Sequence, residues 1–343
     1  MLCGGKILFC WLMFILRMLS AIYGLAVSAT RKAYENGWLR RTRLSCRVIS
    51  VGNITWGGTG KTPFTAMLAK HLRRKGHNVV ILTRGYRGAF RPWTVNRRPT
   101  ISDEAVWLRQ ETDVPVIVGR DRARKGKEAI SRYKPDFIIL DDGFQHWPLH
   151  RDVDIVSINS LNPFGNGQLL PQGILREPLS QLSRADVFVL AKSDLTDNLS
   201  DTEKTLRAAN PRALIIFARH NPLYFYDPRG GRLAPGRIKD KTVVLFSAIG
   251  DPLSFKKTIM RLGGKIGAEL EFPDHYNYRN RDIDLILKRC RTLKADAVVT
   301  TEKDKVKLSP QMLAAMSDRL LILKIGTDII GDEEKLYRRL SGR

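Results

Sequence analysis

The chain has 343 residues, 43% of them hydrophobic and 27% charged, which excludes a disordered polymer and is enough to fill two packed cores. Its 58 Lys and Arg against 34 Asp and Glu give a formal charge of +24, so the surface suits nucleic acid, an anionic membrane or an acidic substrate. Cys3, Cys10, Cys46 and Cys290 are scattered without metal-like spacing, which excludes a disulfide framework and fits a reducing compartment.

The first element is a membrane signal. Ile7–Ala29 is almost entirely apolar, with Arg17 its one charge. As a helix it would be about 34 Å long, enough to cross a bilayer or to lie in its surface with Arg17 reaching for water. Arg31, Lys32, Arg40, Arg41, Arg43 and Arg47 form a basic collar after it, which argues that the next domain stays on the cytoplasmic face. Ala26–Ala29 also resembles a signal-peptidase site, but export would separate a nucleotide-binding loop at residues 57–62 from its nucleotide.

Val48-Ile49-Ser50-Val51 reads as a buried parallel strand, and Phe64–Lys75 as a helix. Between them stand Gly57, Gly58, Thr59, Gly60, Lys61 and Thr62. A glycine-rich turn between strand and helix aims backbone N–H groups at an anion; Lys61 would neutralise phosphate charge and Thr62 could hold Mg²⁺. The motif departs from the usual spacing, since Thr55 stands where the first glycine is expected.

A second strand, Asn78–Leu82, ends in the basic loop Thr83-Arg84-Gly85-Tyr86-Arg87-Gly88. Asp103 and Glu104 then open an amphipathic helix, where the helix dipole alone would favour acids. Strand Val114–Val118, basic helix Arg120–Tyr133 and strand Phe137–Leu140 come next. That last strand closes on Asp141-Asp142-Gly143-Phe144-Gln145-His146, an apolar run ending in aspartate as expected of a Mg²⁺-binding carboxylate. Strand Val153–Ile158, a loop containing Leu169–Pro178, an acid-capped helix and strand Val187–Leu190 complete a doubly wound, mostly parallel α/β sheet.

A Gly-, Pro- and Arg-rich stretch from Tyr224 reads as a linker. Beyond it, strands Lys241–Ile249, Ile266–Phe272, Asp296–Thr301 and Leu320–Ile325 alternate with helices, among them Asp282–Leu293 and Lys303–Val306. The expected domains are 1–46, helix and collar; 47–223, nucleotide-binding; 224–240, linker; and 241–343, a smaller α/β lobe.

These motifs together resemble the tetraacyldisaccharide 4'-kinase family, the lipid A 4'-kinases. The set comprises V-G-N-I-T-W-G-G-T-G-K-T-P, R-G-Y-R-G, D-D-G-F-Q-H, L-L-P-Q-G-I-L-R-E-P, F-P-D-H-Y-N-Y and T-T-E-K-D, spread from Val51 to Asp304. The resemblance implies a P-loop NTPase-like domain with a second α/β lobe, and ATP and Mg²⁺ as substrate and cofactor. It further implies transfer to the 4'-hydroxyl of an anionic glycolipid, a tetraacylated glucosamine disaccharide 1-phosphate, at the inner membrane. By resemblance Asp103 is the catalytic aspartate and His275 its partner. Asp141, Asp142 and Glu177 join Thr62 as metal candidates, and Arg84, Arg176 and Lys303 are further site candidates. The family's G-D-E-P motif stands here as Ser102-Asp103-Glu104-Ala105.

The rival is a membrane-bound P-loop ATPase switch of the chromosome- or septum-positioning type. Its signature lysine before the paired glycines is Trp56 here. A nucleic-acid module is disfavoured because aromatic residues are not interleaved with the basic ones. No obligate protein partner is evident.

Overall fold

The computed structural model describes residues 3–85, 103–274, 276–331 and 333–342, with backbone alone for 3–10 and 103. In chain order the elements begin α1 (Cys3–Glu35), β1 (Arg47–Gly52), α2 (Lys61–Arg74), β2 (Val79–Thr83), α3 (Asp103–Glu111) and β3 (Val116–Val118). Next come α4 (Arg122–Tyr133), β4 (Phe137–Asp141), β5 (Val153–Asn159), β6 (Val187–Ala191), α5 (Ser200–Ala209) and β7 (Leu214–Tyr226). After these stand β8 (Arg232–Leu233), β9 (Thr242–Ser247), α6 (Pro252–Arg261), β10 (Lys265–Glu271), α7 (Asn280–Thr292) and β11 (Ala297–Thr301). The last are α8 (Glu302–Lys305), α9 (Pro310–Ala315), β12 (Leu320–Ile330) and α10 (Glu333–Ser341).

The chain forms two compact units: Met1–Arg84 with Gly119–Ala218 and Ile329–Arg343, and Gly85–Val118 with Arg219–Asp328. This grouping departs from the expected boundaries: residues 1–46 join the first unit and 219–240 the second. The segment containing α3 and β3 falls in the second unit, and the C-terminal helix α10 in the first.

In the first unit, parallel pairing runs β7–β6–β5–β1–β4–β2, with β7 taking part through Leu214–Ala218. Both faces of these strands are buried, which is why β1, β2, β4, β5 and β6 read as nearly unbroken apolar runs. Register sets where the connecting loops emerge. Val51 of β1 and Thr83 of β2 both lie beside Asp141 of β4, and Asn159 of β5 lies beside Ala191 of β6. The loops after these strands therefore leave the same sheet edge, where open α/β sheets bind ligands.

One hydrophobic cluster of this unit joins Ile54, Phe144, Ile158, Leu175 and Phe188. Phe144 and Leu175 come from the Asp-Asp-Gly-Phe and Leu-Arg-Glu-Pro loops, so each motif loop is pinned by one buried side chain. Each such burial stabilises by about 1.5–3 kcal/mol relative to exposure.

In the second unit, β10–β9–β11–β12 pair in parallel. Two clusters pack against this sheet, one around Phe246, Tyr278 and Ile286, the other around Phe225, Leu245 and Ile259. Lys324 on β12 pairs with Glu302 of α8 at 2.8 Å and also with Glu111 of α3. Trp107 Nε1 donates to Glu302 at 3.4 Å, and the Tyr226 hydroxyl to the same carboxylate at 3.3 Å.

Three local expectations change. The helix expected after Pro178 is a 3-10 helix, Leu179–Arg184, with no acid in its first turn. No strand is expected from the sequence between Leu190 and Tyr224, yet β7 runs from Leu214 through Arg219-His220-Asn221-Pro222 to Tyr226, because pairing outweighs local polarity. The expected linker is partly ordered: β7 and β8 pair antiparallel, Pro235–Ile238 forms a 3-10 helix, and Phe225 and Ile238 are fully buried.

Candidate active site

Gly57 and Gly60 adopt positive φ values of 112° and 79°, and Gly60 is the N-cap of α2. A side chain at either position would strain the turn, and the turn leaves the first N–H groups of α2 pointing outward. The Thr59 hydroxyl beside them is buried with no hydrogen-bond partner. Left-handed glycines, a free helix N-terminus and an orphaned hydroxyl together fit an anionic oxygen cluster.

Opposite stand the two aspartates. Asp141, 1% exposed, accepts from Thr65 Oγ1 at 3.2 Å and from Thr62 Oγ1 at 3.5 Å. Asp142 sits in a left-handed conformation, φ 55°, which swings its carboxylate to a different partner set. Lys61 Nζ lies 3.5 Å from it, and Arg176 approaches both its oxygens at 2.9 and 3.0 Å. Burial would push the Asp142 carboxyl up, but Lys61, Arg176 and Arg122 outweigh it and hold the group well below the usual carboxylate range. Asp142 is therefore an anion that keeps two cations close to the glycine turn.

Arg122, 2% exposed, donates to the Asp142 carbonyl at 2.9 Å and fixes the turn from below. His146, at the end of the same motif, is pushed down to about 4 by burial and by the charges of Arg122 and Arg151. It is neutral at pH 7.

The other predicted residues fall in different places. Glu177 is fully buried, and its carboxylate meets Arg184 at 2.6 Å. Arg184 in turn lies over the rings of Phe144 and Trp147, at 4.1 and 4.0 Å. The structure thus gives Glu177 a cation on the 3-10 helix at one carboxylate oxygen, while its Oε1 is buried without a hydrogen-bond partner. Arg84 is exposed at the end of β2, directly after Thr83, the residue in register with Asp141. Lys303 is half-buried on α8, in the second unit. The backbone of Asp103 opens α3, while its side chain lies outside the described residues. His275 and the loop residues Tyr86, Arg87 and Gly88 also lie outside them. Among the described residues no group of three or more His, Cys, Asp or Glu has metal-like spacing.

Two residues of the site carry no sequence motif. Lys192, 2% exposed and at φ 61°, donates from Nζ to the Gly58 carbonyl at 2.7 Å. Ser157 on β5 donates to the Thr59 carbonyl. Together they tie the glycine turn to β5 and β6. The one available signal for Lys192 was an ionisable residue directly after a fully buried strand. Trp56, half-exposed, stacks against the Arg176 guanidinium at 5.6 Å.

Helix α1 carries a 25-residue stretch, Trp11–Glu35, long and apolar enough to cross a membrane, and only 6% of its apolar window is buried in the protein.

The sequence profile of the family LpxK, tetraacyldisaccharide-1-P 4'-kinase, matches residues 12–343. A tetraacyldisaccharide 4'-kinase of Halothermothrix orenii is 37% identical over 320 residues, covering 87% of this chain and 83% of that protein. One from Elusimicrobium minutum is 34% identical over 335 residues, covering 94% and 89%. The crystal structure of an "apo" form of LpxK from Aquifex aeolicus in complex with ATP superposes with a TM-score of 0.69 at 28% identity, covering 96% of this chain and 99% of that one. With the family profile matched over residues 12–343 and relatives 34–37% identical over most of their length, this chain belongs to the tetraacyldisaccharide 4'-kinase family.

Proposed function

We propose that the protein transfers the γ-phosphoryl group of ATP to the 4'-hydroxyl of a tetraacylated glucosamine disaccharide 1-phosphate, working at the cytoplasmic face of the inner membrane. The observation that carries this reading is the division of labour between adjacent aspartates: Asp141 with the hydroxyls of Thr62 and Thr65, Asp142 with Lys61 and Arg176.

Phosphoryl transfer needs little covalent chemistry from the protein; it needs charge and position. The glycine turn and the N-terminus of α2 receive the β- and γ-phosphates. Lys61, held by Asp142 until a phosphate competes for it, stabilises charge on the transferring group. Thr62 and Asp141 supply hard oxygen donors suited to magnesium, and a magnesium ion bound there would neutralise β- and γ-phosphate charge. Asp103 is the proposed general base toward the sugar hydroxyl, with His275 orienting it. The exposed apolar surface of α1 and the basic collar bring the site to the anionic surface where the glycolipid lies.

The test is a transfer assay with ATP, magnesium and a panel of acylated glucosamine disaccharides, run on the native chain and on Lys61→Ala and Asp103→Asn. Product phosphorylated at the 4' position is expected from the native chain. Both variants should bind to membranes normally and lose at least about a hundredfold in kcat, the scale of a lost electrostatic or general-base contribution. ATP hydrolysis that ignores every glycolipid would favour the ATPase-switch reading instead.

A further inference from the structure

Helix α1 has two faces. Trp11, Phe14, Met18, Ile22 and Leu25 are exposed apolar residues, half or more of each open to the surroundings. Ser20, Tyr23 and Gly24 lie on another face, at the i, i+3, i+4 spacing of helical neighbours, and this face meets the loop Leu169–Arg176. Ser20 Oγ donates to the Leu169 carbonyl at 3.0 Å and accepts from the Gln172 N–H at 3.0 Å. The Tyr23 hydroxyl donates to the Arg176 carbonyl at 2.9 Å. Gly24 permits the close approach, since a Cβ there would stand 2.7 Å from Leu169 Cδ1.

The grip falls on both ends of one loop, and its last residue is the one that reaches the site. The Arg176 N–H donates to the Ile54 carbonyl at 2.7 Å, and its carbonyl is held by Tyr23. Its backbone is thus anchored between β1's outgoing loop and α1. Its guanidinium then bridges to Asp142, the partner of Lys61. The Ser20 and Tyr23 hydroxyls would be costly facing lipid, yet here both satisfy backbone groups of the loop that ends in Arg176.

We propose that α1 is a positioning element of the site as well as a membrane attachment, with Tyr23 and Ser20 fixing the loop that presents Arg176 to Asp142. A helix used only for attachment would tolerate loss of both hydroxyls. A positioning helix transmits their loss to Arg176 and lowers turnover without weakening attachment.

The kinetic arm rests on the kinase reading; a second arm does not. Full-length protein and the variants Ser20→Ala, Tyr23→Phe and the double variant would be compared in detergent micelles. Amide hydrogen exchange across residues 168–177 should quicken about three- to tenfold, most at Gln172 in Ser20→Ala, as expected for losing one net hydrogen bond. The kcat for 4'-phosphorylation should fall about three- to tenfold in Tyr23→Phe, with KM for ATP and recovery on vesicles of anionic phospholipid unchanged. An unchanged kcat overturns the proposal even if exchange quickens, and so does a loss of activity that merely tracks lost vesicle binding. If the native chain transfers no phosphate to any glycolipid, the kinase reading fails. The exchange arm then decides alone, and unchanged exchange in the double variant overturns the grip of α1 on the loop.

Discussion

Asp141 and Asp142 are adjacent in sequence and chemically alike, yet the structure gives them unlike work. The φ of 55° at Asp142 turns its carboxylate toward Lys61 and Arg176, while Asp141, still in β4, faces the α2 hydroxyls. Below them, the buried Lys192 ammonium holds the Gly58 carbonyl. Lys192→Met keeps most of the side chain's bulk but removes the donor. The glycine turn should loosen, and KM for ATP should rise about three- to tenfold with little change in thermal midpoint, as steady-state kinetics and a melt would show. His146 carries a pH dependence whose sign can be worked out. Its value falls from the ordinary 6.5 to about 4 in the folded chain, so between these pH values the unfolded chain binds more protons. Stability from this residue is complete above about 6.5 and is lost on acidification toward about 4. In His146→Gln the fall of Tm over that window should be shallower than in the native chain. Equal slopes would show that the imidazole titrates normally.

At the scale of elements, register and close approach build the site. Gly52 ends β1 directly under the Asp-Asp-Gly-Phe turn, where a Cβ would lie 2.5 Å from Phe144 Cβ and 2.6 Å from its backbone nitrogen. The neighbour is backbone that cannot step aside cheaply. Gly52→Ala should therefore cost about 1–3 kcal/mol of stability, in the range of overpacked cores, and should shift Asp141 and Asp142 together. A denaturant melt combined with a nucleotide-binding titration checks this; unchanged values in both would mean the turn is more yielding than its packing indicates. The helix α10 is a different case. Its Leu336 and Leu340 are fully buried, and Tyr337 stacks on His71 of α2 at 3.4 Å between ring centroids. The last nine helical residues thus brace the helix that begins with Lys61 and Thr62.

At the scale of the whole molecule, the charge of +24 and the apolar α1 act together. Removing residues 2–29 should lower recovery on anionic vesicles, and the remaining binding should fall steeply between low salt and about 0.5 M because it rests on the basic collar alone. Sedimentation with vesicles at both salt concentrations checks this, and salt-resistant binding of the truncated chain would place the anchor elsewhere. Much of this architecture was legible in the sequence, because the signals are local. Unbroken apolar runs announce buried parallel strands, glycines before Lys61-Thr62 announce an anion-binding turn, and a long apolar first helix announces a membrane. What local signals do not carry is partnership across the chain. Arg176 carries no sign in the sequence of its pairing with Asp142, 34 residues away; Asp103 reads as part of the first domain, and α3 groups with the second unit. Lys192, Tyr23 and Ser20 show no motif at all, because each acts on a backbone carbonyl, and carbonyls are identical at every residue type. The sequence by itself determined most element types and the glycine turn between β1 and α2, since strand, turn and helix preferences reside in a few neighbouring residues. Only the tertiary structure decided which charges pair and which hydroxyls hold which loops, because these depend on register and on contacts between separated positions, 34 residues apart for Arg176 and Asp142 and 153 for Tyr23 and Arg176.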